Sequence, residues 1–333
     1  MSELVRLGVI VHEIKLSPNK VSIFLDFRYL IALFKIIRQT RPDVFFAYTI
    51  KPIVYGNLVA SICKVKTKAF LFSGLGYSFQ ENGTVAKKLV RGLLKFNIGL
   101  RTSKIYFFQN QDDKIELTGL GILNKSSIVH VVDGSGVDLN EFCYQMPDVH
   151  NITFVMVARL VNAKGIKEFY EASKIIKAKY KFVKFWLLGE HDIHGIDSIS
   201  LDLYNEIKYS EVIEYHGWIE DVKPFLRNSS VIVLPSYYKE GIPRSILEAM
   251  SVGRPVITTN SVGCRETVNS FEGNINGFLV PPKDVSALHA KMEFFINNPH
   301  KIIEYGINSR HYAEERFDVH KVNKQMIDAL KLT

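Results

Sequence analysis

Cysteine is scarce in this sequence: 3 in 333 residues, at Cys63, Cys143 and Cys264. Thiols so few and so scattered exclude a disulfide framework and a zinc-cluster fold, and they suit a reducing compartment. Long hydrophobic runs are missing too. The longest candidate, Val21 to Ile37, is interrupted by Asp26, Arg28 and Lys35, whereas a membrane span needs roughly 18 uninterrupted apolar residues. The N-terminus has no basic stretch leading into an apolar one, so no export signal is read. The expectation is a cytoplasmic protein, soluble or peripheral. Gly and Pro number only 21 and 11, which excludes collagen-like and low-complexity chains. No repeat with a period of tens of residues is visible.

What is present is ordinary globular composition, 47% apolar and 23% charged, in a chain long enough for about two domains. The net charge of +8 is unevenly placed: residues 1–150 carry 19 Lys+Arg against 12 Asp+Glu, and residues 151–333 carry 23 against 22. A basic first half favours anionic partners: nucleic acid, anionic lipid or phosphorylated substrates. Nucleic acid is set aside, because basic and aromatic residues do not interleave and no reading motif occurs.

Short β-branched or aromatic runs alternate with amphipathic ones. In the first half, strands are expected at Leu7–Ile14, Val44–Thr49, Ala69–Phe72, Ile105–Phe108 and Ile128–Val132. Helices are expected at Asp26–Arg38, Pro52–Cys63, Val85–Gly99 and Asp112–Gly119. The pattern restarts after a stretch rich in Gly, Asp and Asn, Gly134–His150. Strands follow at Asn151–Ala158, Phe182–Leu188, Ile213–His216, Ser230–Leu234, Pro255–Thr259 and Gly277–Val280, with helices Gly165–Lys177, Asp221–Asn228, Ser245–Ser251 and Asp284–Asn297. Such alternation means βαβ units and parallel sheets. The expected organisation is an α/β fold of two Rossmann-like domains, residues 1–145 and 150–300. Two closing helices within 301–333 cross between them.

Two segments could carry chemistry. Pro235–Glu248 (PSYYKEGIPRSILE) follows an apolar strand directly, and open α/β sheets bind ligands at the carboxyl ends of strands. Gly241 and Pro243 make a turn, Ser245 is expected to cap the next helix, and the free N–H groups there suit an anion. Glu240 would sit at the loop mouth and Glu248 a turn into the helix; a capped surface helix with two solvated carboxylates is the plainer alternative. Ala158–Gly165 (ARLVNAKG) also follows a strand, and Arg159 with Lys164 suits a diphosphate. Ordinary surface charge is the alternative, and the full P-loop pattern is absent.

Together, in this order, these segments resemble the donor half of retaining glycosyltransferase family 4, whose fold is GT-B. The E-x7-E pattern is Glu240…Glu248 and R-x4-K-G is Arg159…Lys164-Gly165. Val233-Leu234-Pro235-Ser236, Leu247-Glu248-Ala249-Met250, Gly253-Arg254-Pro255-Val256 and Gly263 through Val268 match as well. Thr49-Ile50-Lys51-Pro52, Gly74-Leu75-Gly76 and Gln109-Asn110…Asp113 are similar to stretches of enzymes that build capsule and O-antigen repeats on a lipid carrier. The resemblance implies two parallel sheets facing a cleft. It implies a nucleotide-sugar donor, UDP-linked, and a polyprenyl-diphosphate-linked glycan acceptor, with no cofactor.

By that resemblance Arg159 and Lys164 neutralise the donor diphosphate. Glu248 takes the ribose hydroxyls and Glu240 the transferred sugar, and the amides of Gly241, Ile242, Pro243 and Arg244 complete the site. Thr49, Lys51, Gly74 and Gly76 become acceptor-side candidates. No two aspartates stand two apart, so the Asp-x-Asp metal pair of the other large transferase fold is missing and no metal is assigned. His191 and His194 lack zinc spacing and read as loop residues near the base pocket; His12 and His130 read as structural.

The stretch Val85–Lys104 carries Lys87, Lys88, Arg91, Lys95, Arg101 and Lys104 without an acidic residue. Lys87, Lys88, Arg91 and Lys95 are candidates for contact with the anionic inner-membrane surface; a core-packed helix with a solvated basic face is the alternative. Family members open with a strand, a glycine-rich loop and a helix, roughly 50 residues, before the region matching Leu4–Leu16, so the N-terminal domain is expected to be incomplete. A non-catalytic remnant that keeps only nucleotide-sugar binding is therefore the second reading of function, and a GT-B-like epimerase a further one.

Overall fold

The computed structural model describes residues 2–16, 23–76, 92, 94–95, 104–123, 127–193, 195 and 197–332. In the first half the elements are α1 (Ser2–Arg6), α2 (Ile23–Thr40), β1 (Val44–Tyr48), α3 (Ile50–Ile62), β2 (Thr67–Phe72), β3 (Lys104–Phe108), α4 (Gln111–Gly119) and β4 (Ile128–Val131). The strands form a sheet in the order β1-β2-β3-β4, and β1 runs parallel to β2 with Val44 opposite Thr67. β3 reads KIYFF and is buried along its whole length, as a central strand covered on both faces must be. α3 closes on a left-handed Lys64 (φ 58°), with the Val65 N–H reaching Ala60 C=O and the Lys64 N–H reaching Ser61 C=O. That pairing satisfies carbonyls the helix end would otherwise strand.

The second half runs β5 (Thr153–Val157), α5 (Ile166–Lys179), β6 (Lys184–Leu188), α6 (Leu201–Lys208), β7 (Glu214–Gly217), α7 (Lys223–Asn228), β8 (Val231–Leu234), α8 (Arg244–Ser251), β9 (Val256–Thr259), β10 (Gly277–Val280), α9 (Val285–Asn297), α10 (Pro299–Arg316) and α11 (Val319–Leu330). Its sheet has the order β10-β9-β8-β5-β6-β7, and each neighbouring pair is parallel. The chain proceeds outward from β5 through β6 and β7, then returns to β8 on the other side of β5. The loops after β5 and β8 therefore leave the sheet side by side. This is the topological switch point, where doubly wound sheets open a crevice. One hydrophobic core, from Phe154 and Val155 to Phe295 and Phe317, lies on both faces of this sheet.

The chain divides into two compact units. One takes residues 1–71, 82–106 and 118–129; the other takes 72–81, 107–117 and 130–333. The last residue of β2, Phe72, the end of β3, Phe107 and Phe108, and the loops that follow them count with the larger unit. Within that unit Phe72 stacks on Phe108, with ring centroids 4.9 Å apart. α10 and α11 belong to the larger unit as well. They part at Phe317 and Asp318, where the Val137 N–H bonds to Phe317 C=O and the Val319 N–H to Val137 C=O. Asp133 is ion-paired with Arg316 beside them.

Several expectations change. Leu7–Ile14 is not a strand: α1 ends at Arg6 and residues 9–16 form no regular element, with Val9 and Ile10 exposed. A β-like side-chain pattern makes a strand only where a neighbouring strand accepts its hydrogen bonds, and no such partner lies beside it among the described residues. Helix α6 was not expected; Ser200 caps it by accepting from the Leu203 N–H at 3.2 Å. Ser245 is not the cap of α8. Pro243 stands there with φ −64° and no side-chain bond, so the helix starts one residue earlier. Lys104 is not part of a basic surface helix. It opens β3 and is 5% exposed, and burial beside Lys68 lowers its pKa to about 8. Lys87, Lys88, Arg91 and most of the expected helix Val85–Gly99 lie outside the described residues, as does His194. Lys95 is described and exposed. His130 is half-buried and stacks on the buried Phe107, with centroids 5.5 Å apart.

Arg254 is wholly buried and has no carboxylate partner among the described residues; its guanidinium donates to the carbonyls of Ser229 at 2.6 Å, Val252 at 2.9 Å and Gln145. Burial lowers its pKa to about 10. It fastens the segment before β5, the start of β8 and the end of α8 to one another. Arg254→Leu removes all three bonds; Val252 C=O keeps the Gln145 N–H, while Ser229 C=O loses this buried donor, and an unmet buried acceptor costs about 1–3 kcal/mol. A loss of about that size is expected, read from the urea unfolding midpoint.

Candidate active site

The loop after β5 begins at the exposed Arg159 and ends in a short 3-10 turn, Asn162–Lys164. Gly165 then starts α5 from the left-handed region, φ 79°. A side chain there would place its Cβ 2.3 Å from the Pro235 carbonyl oxygen. Glycine is thus required on two grounds, the backbone angle and the closeness of the loop after β8. The two loops are also joined directly, because the Tyr237 N–H donates to Ala163 C=O at 2.8 Å.

Glu240 is the hub of the loop after β8. Its Oε2 pairs with Lys164 Nζ at 2.7 Å and its Oε1 accepts from Ser236 Oγ at 2.7 Å. Lys164 also lies over the Tyr238 ring, 5.8 Å from its centroid. Glu248, in the middle of α8, is 9% exposed and accepts from Arg244 Nε at 2.8 Å. Burial raises its pKa, and the Arg244 guanidinium works against that rise. Arg159 makes no ion pair among the described residues. The expected residues Arg159, Lys164, Glu240 and Glu248 thus all lie at the carboxyl side of β5 and β8, within the larger unit.

The amides expected to bind an anion are fewer than the sequence suggested. The Ile242 N–H is committed to Gln109 Oε1 at 3.3 Å, and Pro243 has no N–H. Among the described residues no acceptor is shown for the N–H groups of Gly241 and Arg244. Gly74 and Gly76 turn out to be neighbours of this same loop. A Cβ on Gly74 would lie 2.5 Å from Gly241 N, and the Gly76 N–H donates to Lys239 C=O at 3.0 Å. On another side, a Cβ on Gly263 would lie 1.7 Å from Gly241 O. Their role in this structure is close approach to the loop.

Thr49 and Lys51 lie in the smaller unit and are described there. Thr49 follows β1 with φ 64° and ψ 153°, a conformation almost confined to glycine, which costs of order 1–3 kcal/mol elsewhere. Lys51 pairs with the buried Asp26 at 3.2 Å, and Tyr55 OH donates to the same carboxylate at 2.9 Å. His191 Nε2 lies 3.1 Å from Ile199 O and its ring stacks on Tyr204 at 4.2 Å.

Sequence reasoning missed Ser236, Gln109 as an amide acceptor, and Asn110, which donates to Glu240 C=O at 3.2 Å. Ser236 had a signal, a Pro-Ser pair ending a buried strand. Gln109 and Asn110 had only their resemblance to a family stretch. Nothing in the sequence places them beside a loop 130 residues away. Gly165→Ala is expected to destabilise the protein by at least about 1–2 kcal/mol from the backbone angle alone, measured as a lower melting temperature.

The model of the family described as glycosyl transferases group 1 matches residues 151–298. A second, described as glycosyl transferase 4-like, matches residues 2–110. The chain is 28% identical over 284 residues to N,N'-diacetylbacillosaminyl-diphospho-undecaprenol alpha-1,3-N-acetylgalactosaminyltransferase of Campylobacter jejuni, covering 80% of this chain and 72% of that protein. It is 26% identical over 318 residues to the capsular polysaccharide biosynthesis glycosyltransferase CapM of Staphylococcus aureus, covering 92% of this chain and 81% of that one. The fold is similar to the crystal structure of Anabaena Alr3699/HepE in complex with UDP and glucose, with TM-score 0.77 and 18% identity over 99% of this chain and 88% of that one. Two family models in tandem, parallel sheets of this topology and relatives that align along most of the chain lead to one conclusion: the chain belongs to the family 4 glycosyltransferases, of GT-B fold.

Proposed function

We propose that the protein transfers a sugar with retention from a UDP-sugar to a polyprenyl-diphosphate-linked glycan, in the making of a bacterial surface polysaccharide. The observation that carries the proposal is the meeting of Lys164, Glu240 and Glu248 at the switch point of the six-stranded sheet. A UDP- and glucose-bound relative in fold and a relative named for a diphospho-undecaprenol acceptor support the donor and the acceptor class. The transferred group is a hexose or an N-acetylhexosamine.

When the C1–O bond to the diphosphate breaks, charge builds on the leaving UDP. Arg159, Lys164 and the N–H groups of Gly241 and Arg244 stabilise that charge from fixed positions. Glu248 accepts from the ribose hydroxyls. Glu240 accepts from hydroxyls of the donor sugar, so that C1 faces the acceptor. The acceptor oxygen bonds to C1 on the face the diphosphate leaves, and its proton passes to a diphosphate oxygen. No metal ion takes part in this scheme.

Thr49, which precedes α3, and Lys51, in its first turn, are the acceptor-side residues. The enzyme works at the inner face of the plasma membrane as a peripheral protein. In support, no helix among the described residues is long and apolar enough to cross a membrane.

The first test is a thermal-shift panel with UDP, GDP, ADP and CMP, followed by transfer to a lipid-linked acceptor. A nucleotide at 100 times its Kd stabilises by about 2.7 kcal/mol, and UDP alone is expected to do so. Glu248→Ala is expected to weaken UDP binding, and Glu240→Ala to lower transfer more than binding. Equal UDP affinity in Glu248→Ala and the parent would refute the ribose assignment. UDP binding without transfer to any lipid-linked acceptor would reduce the function to donor binding.

A further inference from the structure

The turn after β3 reaches across to the loop after β8. Gln109, Asn110 and Asp113 are 6%, 2% and 1% exposed. Asn110 is bonded on both ends of its amide. Its Oδ1 accepts from the Asp113 N–H at 2.8 Å, and its Nδ2 donates to Asp113 Oδ2 at 3.0 Å and to Glu240 C=O at 3.2 Å. Gln109 takes the Ile242 N–H. Lys239 is held from the same helix, its Nζ 2.8 Å from Glu116 Oε2. The backbone of Glu240–Ile242 is thus gripped at one carbonyl and one amide by side chains more than 120 residues earlier in the chain.

A helix cap alone does not call for this arrangement. Asn110 caps α4 unaided, and a buried carboxylate beside it is costly. Asp113 Oδ1 has no hydrogen-bond partner among the described residues. What Asp113 adds is an acceptor that fixes the Asn110 amide, so that Nδ2 points at the Glu240 carbonyl. We propose that Asn110 and Asp113 are a positioning pair for Glu240, setting the direction of its carboxylate and of the Gly241 N–H toward the donor sugar. The inference rests on the proposed donor site and concerns a control over it.

Two readouts on the full chain test this. The first is hydrogen–deuterium exchange of the peptide spanning residues 239–247 in ligand-free protein, corrected for intrinsic exchange. Asn110→Ala is expected to speed exchange there about tenfold, the worth of one buried hydrogen bond. Asp113→Ala, which takes away the acceptor that fixes the Asn110 amide, is expected to speed it as well, and Asp113→Asn, which keeps an acceptor, to change it little. The second readout is transfer kinetics. Asn110→Ala should lower kcat about tenfold or more with little change in donor KM.

Unchanged protection in Asn110→Ala, or faster exchange with kcat intact, would overturn the positioning role. Exchange in Asp113→Ala equal to that of the parent would take Asp113 out of the pair. The exchange experiment needs no donor, so a parent that neither binds UDP nor transfers sugar would count against the proposed function alone.

Discussion

Everything at the switch point depends on how little space surrounds the backbone of the loop after β8. Gly241 has Gln109 on one side and Gly263 on another, and Gly74 stands against its nitrogen. A loop that must present a carboxylate and amide groups outward cannot also be fixed by its own large side chains. It has to be held through its main chain. Main-chain contact at these distances demands glycine on the neighbours, because any Cβ would overlap a carbonyl or an amide. The parallel sheet explains why the crowding falls here: β5 and β8 are adjacent, and their following loops leave from the same edge.

The charges obey a related constraint. Lys164 and Glu240 neutralise each other at 2.7 Å with side chains only 14% and 11% exposed, and Arg244 does the same for Glu248. A largely buried pair contributes little net stability, since desolvation offsets most of the attraction, but leaving one partner alone is expensive. An incoming diphosphate can therefore draw Lys164 away only if Glu240 keeps another donor. Ser236 Oγ, already 2.7 Å from Oε1, is that donor. The cation can turn to a ligand while the carboxylate stays satisfied and in place.

Most of the fold was legible. Runs such as VIVL and FVMV, buried on both faces, and the amphipathic stretches between them fix the strands of both sheets to within a residue or two. The E-x7-E spacing and the Arg159…Lys164 pair fall on the two loops that leave the six-stranded sheet side by side, because local pattern and strand ends coincide there. What escaped had no local trace. Leu7–Ile14 carries a strand pattern but lacks a neighbour to bond with. Lys104 looks like one more surface cation, because sequence does not say that a lysine stem begins a buried strand. That Gly74 and Gly76 lie against the loop after β8 is not legible either, since a glycine's close approach depends on what stands opposite. Gln109 and Asn110 are ordinary turn residues until the loop around Glu240 is set beside them.

The costs in this unit are unevenly distributed, and their location carries information. The elements α9 and α10, with the Asp284 cap of α9, the aromatic cluster that Phe295 and Tyr305 form with Phe278 of β10, and an exposed ion pair, follow the local rules of stability. Around the loop after β8 those rules are broken repeatedly. Asp113 is a carboxylate in the interior with one oxygen unmet. Gly165 and Gly263 sit at positive φ against foreign backbone. Lys164 and Glu240 are shielded ions. A sequence under selection for stability alone would replace such features with apolar side chains and ordinary caps. Local conflict persists where a geometry has to be held for another purpose. Such conflicts occur elsewhere in the unit, at Arg254 for one, but around this loop several meet at once, and the Asn110 bond to Glu240 C=O joins the distant Asn110 and Asp113 to Lys164 and Glu240.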